Sequence, residues 1–105
     1  MAGVVEVTCQ TRWTAASWLF DWVLNGIAGC LETSELASSV NLIVQENLGW
    51  LSLEQLSPED GERVVQIIKN RLLEAARREL SADVPNRAGV IEHLQRLVEL
   101  VDERP

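Results

Sequence analysis

Ser57-Pro58-Glu59-Asp60 opens the segment of this chain with the least structural freedom. A serine hydroxyl can satisfy an orphan amide of a first helical turn. Proline fits the first helical position because its missing N–H had no intrahelical partner to lose, and the two acids complement the positive end of the macrodipole. Val64, Val65, Ile68, Leu72, Ala75, Ala76 and Leu80 then recur at helical spacing, with Arg77 and Arg78 near the end, where cations belong. The pattern predicts a helix from 58 to about 80. A helix with one apolar stripe must bury it, so the rest of the chain has to supply packing partners.

Two more segments read the same way. Leu36, Val40, Ile43, Val44 and Leu48 predict a helix from about Ser34 to Leu48, capped by Ser34 or Thr33 and stopped at Gly49. Val90, Ile91, Leu94, Leu97, Val98 and Val101 predict a last helix over about 87–102, after a break at Pro85 and with Asn86 as its cap. Glu59/Arg63, Glu74/Arg78 and Glu92/Arg96 stand four apart with the acid first, the favourable order for helix-surface pairs. Between these segments, Trp50 to Leu56 reads as a connector or a short helix.

Residues 13–30, WTAASWLFDWVLNGIAGC, hold three of the four tryptophans and one charge, Asp21. Thr14, Ser17, Asp21 and Asn25 follow three- and four-residue steps, which predicts a first helix with a thin polar stripe, capped by Thr14 or Thr11. So narrow a wet face implies a helix central in a bundle or shared between the core and an interface. Gly26 and Gly29 would stop it or let another backbone come close. Before it, Val4-Val5-Glu6-Val7-Thr8-Cys9 has strand character. With no second strand-like run to pair with, it reads as an extended or β-like arm over residues 1–12, free to pair with another chain. The expected fold is all-α: one domain, a compact bundle of about four helices over 13–105, plus the arm.

Charge and chemistry narrow the function. The chain carries 16 acids and nine bases, a formal −7. Residues 1–56 hold six acids against Arg12 alone, 1 − 6 = −5; the rest hold ten acids and eight bases, 8 − 10 = −2. Such a field disfavours direct binding to nucleic acid or to anionic membrane and favours a basic protein partner. Ile27-Ala28-Gly29-Cys30 matches the four-residue lipobox pattern of bacterial lipoproteins. Asp21 and Asn25 interrupt the apolar run a signal needs, however, and Glu6 offsets Arg12, so the reading is a cytoplasmic protein without a membrane span. Cys9 and Cys30 have no metal or redox spacing and read as free thiols; His93, the single histidine, stands without catalytic company. The clustered Lys69, Arg71, Arg77 and Arg78 read as a solvated, salt-paired helix surface.

No catalytic, cofactor or metal signature follows from these residues, and the expectation is a non-enzyme. The candidate partner-binding residues are Trp13, Trp18, Asp21, Trp22, Glu32 and Glu35: aromatic anchors, with acids to steer a basic protein. The leading expectation is a small acidic inhibitor or immunity-type protein that neutralises a basic partner such as a nuclease. The alternative is a self-associating structural subunit, a homo-oligomer formed through the tryptophan-rich first helix.

Overall fold

A computed structural model describes residues 2–31 and 35–103. In chain order its elements are β1 (Ala2–Thr8), β2 (Thr11–Ala16), α1 (Ser17–Leu31), α2 (Glu35–Gln45), β3 (Trp50–Ser52), α3 (Pro58–Glu79) and α4 (Arg87–Asp102). The fold is therefore α+β and not all-α: four helices pack with a three-stranded mixed sheet of order β2-β1-β3. The expected arm is the central strand of that sheet.

Two misreadings account for the difference. Thr11–Ala16 is not the start of a helix but a strand, with Trp13 and Ala15 buried and Arg12, Thr14 and Ala16 exposed, a period of two. It pairs antiparallel with β1 in the register Val5↔Trp13 and Glu6↔Arg12, through a tight turn in which the Thr8 hydroxyl accepts the Gln10 amide. The connector 50–52 is the third strand, parallel to β1 with Val5↔Leu51, and too short to show a period. The backbone groups of β1 are thus satisfied on both sides within the chain.

Val5, Val7, Trp13, Ala15 and Leu51 face the helices. From α1 the core receives Leu19, Phe20, Val23, Leu24, Ile27, Ala28 and Leu31. β1 crosses α1 so closely at Gly3 that a Cβ there would overlap the Phe20 ring, which makes glycine a packing requirement. On the other side of the sheet Glu6 holds Arg12 at 3.7 Å and accepts the Ser52 hydroxyl at 3.4 Å.

The two C-terminal helices follow the sequence reading. Ser57 accepts the Asp60 amide at 3.2 Å and Pro58 occupies the first turn, as expected of the cap. The α3 C-terminus is closed from outside: the Arg87 side chain donates to the carbonyls of Arg77 and Leu80, both at 3.0 Å. Asn86 precedes α4 in the left-handed region without a side-chain cap bond, so it turns the chain but does not cap by its amide. Lys69 on α3 pairs with Asp102 on α4 at 3.0 Å. None of the three predicted four-apart pairs closes to ion-pair distance; Arg78 meets Glu79 and Arg96 meets Glu99 instead.

The end of α2 also differs from expectation. Asn47, at φ 52°, stops the helix while Leu48 N–H bonds Ile43 O and Asn47 N–H bonds Val44 O, a Schellman arrangement with asparagine in the place usual for glycine. Leu48 consequently points away from the α2 stripe and is exposed. The expected caps of α2, Ser34 and Thr33, lie outside the described residues. Among the described residues no helix is long and apolar enough to cross a membrane.

Candidate functional site

The six sequence-predicted partner residues separate. Trp13 lies inside the protein, on β2. Its indole stacks on the His93 ring at 4.8 Å between centroids and 25° between planes, and its Nε1–H donates to His93 O at 2.9 Å. The His93 Nε2 in turn meets Thr14 O; a carbonyl only accepts, so this nitrogen carries the hydrogen. α4 thereby covers the outer edge of β2, an edge that would otherwise present unpaired backbone groups. Trp13 is thus a core residue with its polar atom satisfied, unavailable as an anchor in the folded chain. His93 has a structural part that its sequence position did not reveal.

Trp18, on the first turn of α1, is 50% exposed, and Trp22, one turn on, is half-buried. Asp21 is half-buried between them and Glu35 is exposed at the start of α2; Glu32 lies outside the described residues. Cys9, in the β1–β2 turn, and Cys30, near the end of α1, are exposed free thiols. Among the described residues no three His, Cys, Asp or Glu side chains gather as a metal site would require.

Sequence reasoning missed two surfaces. The first lies at the β3 side of the sheet. Leu42, Leu48 and Trp50 are 49%, 59% and 41% exposed, and all three fall within nine residues of chain. Leu48 and Trp50 flank Gly49, whose carbonyl accepts the Val4 amide, so both stand beside the central strand. Glu46 and Glu54, exposed, bracket them, and no lysine or arginine occurs between Arg12 and Arg63. Scattered exposed leucines need no explanation, but two leucines and a tryptophan exposed within nine residues, with acids and no cation beside them, single out this stretch as a candidate surface. No sequence signal marked Leu48, which follows Val44 by four residues and so fits the α2 stripe; the helix stops before it, at Asn47.

The second surface is a groove between α1 and α3, with a volume of 370 Å³. Trp22, Asn25, Gly26 and Cys30 line it from α1, while Ile67, Arg71, Glu74 and Arg78 are among the residues lining it from α3. Gly26 opens it: a Cβ built there has no neighbour within 4 Å. The basic cluster of the sequence divides here, since Arg71 and Arg78 border the groove while Lys69 turns to Asp102. Arg71 has no ion pair among the described residues.

The chain matches no known protein family, no curated protein and no solved structure.

Proposed function

We propose that the protein is a non-enzymatic binding module of the cytoplasm, an acidic inhibitor or immunity-type chain that neutralises a basic protein such as a nuclease. The observation that carries this reading is the exposed group Leu42, Leu48 and Trp50 in a stretch from residue 13 to 62 without a single cation. Acids around an apolar centre steer a basic partner by their field, and the tryptophan and leucines hold it once water is expelled. Trp18, Asp21 and Glu35 add an accessible tryptophan and two acids to the same cation-free stretch; Trp13 is buried and drops out. The same field repels phosphate backbones and anionic lipid, so direct contact with nucleic acid or membrane forms no part of the reading.

The test is capture from the native lysate at low and at physiological salt, with native chain and with a Leu48→Ser, Trp50→Ser variant. A stoichiometric basic protein that weakens with salt, and is lost from the variant and from Glu46→Gln, Glu54→Gln, is the expected result. Binding indifferent to salt and to all four substitutions removes the reading, as does a native chain that captures nothing.

A further inference from the structure

Gly26 poses a question that the fold of a single chain does not answer. Glycine inside a helix loses conformational entropy on folding and is a poorer helix former than alanine. At Gly3 and Gly49 the chain has a reason for it: a ring pressed on the backbone at one, a φ of +69° at the other. At Gly26, as at Gly29, the backbone is helical and a Cβ would meet nothing within 4 Å; of the two, Gly26 lines the groove. Without a side chain, Gly26 leaves its stretch of the groove wall bare, with Trp22 half-buried on the α1 side and Ile67 half-buried on the α3 side.

The charges bordering the groove indicate what fills it. Arg71, Glu74, Arg78 and Glu79 alternate in sign along α3 and sum to zero, in a chain whose total is −7. The border of the groove therefore offers no charge excess of its own to a free ion or to the basic partner proposed for the β3 side. A second copy of the same row fits: across a two-fold axis, arginines of one copy meet glutamates of the other, and the acid excess stays outside the contact. We infer that the α1–α3 groove is a self-association surface, in which two copies pack α1 and α3 against each other over Gly26, covering Trp22 and Ile67 and joining Arg71 and Arg78 to the partner copy's acids. This contact is separate from the surface of the proposed function, and either can stand without the other.

Sedimentation velocity across the micromolar range, with circular dichroism to verify folding, tests it. The native chain is expected to pass from monomer to dimer as concentration rises. Gly26→Leu puts a better helix former into open space, so it should fold at least as well and dimerise at least about tenfold more weakly, the cost expected of blocking a contact centre. Two charge-reversed chains sharpen the result: Arg71→Glu with Arg78→Glu, and Glu74→Arg with Glu79→Arg, should each stay monomeric alone and form a heterodimer when mixed. Leu48→Ser with Trp50→Ser should leave the dimer intact, which keeps failure here distinct from failure of the basic-partner reading. A native chain that is monomeric throughout overturns the inference, as does a dimer indifferent to Gly26→Leu or a mixture of reversed chains that stays apart.

Discussion

The two sides of α1 use the same residue for opposite ends. Toward the sheet, Gly3 lies so close to Phe20 that no other side chain fits, and the neighbouring β2 strand is locked to α4 by the Trp13–His93 stack and two hydrogen bonds. Toward α3, Gly26 faces open space and Trp22 is only half-covered. Close packing on the first side is what protein interiors show; on the second a groove leaves Trp22 and Ile67 half-open to solvent. In the first setting a neighbour within the chain requires glycine, and in the second none does.

That contrast can be broken at its strongest point first. Trp13→Ala removes a buried indole, its stack and its bond to His93 O, and should destabilise the protein by about 3–5 kcal/mol in urea unfolding. A loss below about 1 kcal/mol would mean that the closed side is not closed. Gly3→Ala forces a methyl into the Phe20 ring and should cost about 1–3 kcal/mol, with a lowered thermal midpoint. His93→Ala deletes the stack and uncovers Thr14 O, for a loss of about 1–2 kcal/mol and faster amide exchange along the β2 edge. The smallest effect reverses sign: Gly26→Ala should stabilise the monomer by about 0.5–1 kcal/mol, because the methyl meets nothing and the helix gains. Equal effects of alanine at 3 and at 26 would erase the distinction between the two sides.

Legibility in the sequence divides along the same line. α3 and α4 were readable to within a residue or two because each carries its own start signal and several turns of periodic burial. The sheet was not. Six residues of β2 run straight into α1 without a breaker, and Thr14 falls in step with Ser17, Asp21 and Asn25, so a strand residue completes a convincing helical stripe. β3 is three residues long, and a period of two cannot be recognised in so few. A lone strand cannot satisfy its backbone groups, and the partners of β1 are present in the sequence but disguised. For the surfaces, aromatic content marked α1 correctly as unusual, yet composition could not separate Trp13, inside, from Trp18, outside, because that depends on which element each one joins. The α1–α3 groove was unreadable for a simpler reason, since Gly26 and Arg71 are 45 positions apart and meet only by folding.

The strand order β2-β1-β3 also sets a timetable. β1 can close its hairpin with β2 as soon as residue 16 is available, a local event of microseconds. Its other edge must wait for β3, with Val5 pairing to Leu51 across β2, α1 and α2. At translation rates of about 5–20 residues per second, that interval lasts roughly 2–7 s. For those seconds the nascent chain carries a two-stranded ribbon with both edges bare, the β2 edge until α4 arrives, and Val5 and Val7 still without their full cover, the state in which edge-to-edge aggregation begins. Ribosome-bound chains arrested before residue 50 should therefore recruit chaperones most strongly, chains with residue 52 emerged less so, and chains with α4 emerged least.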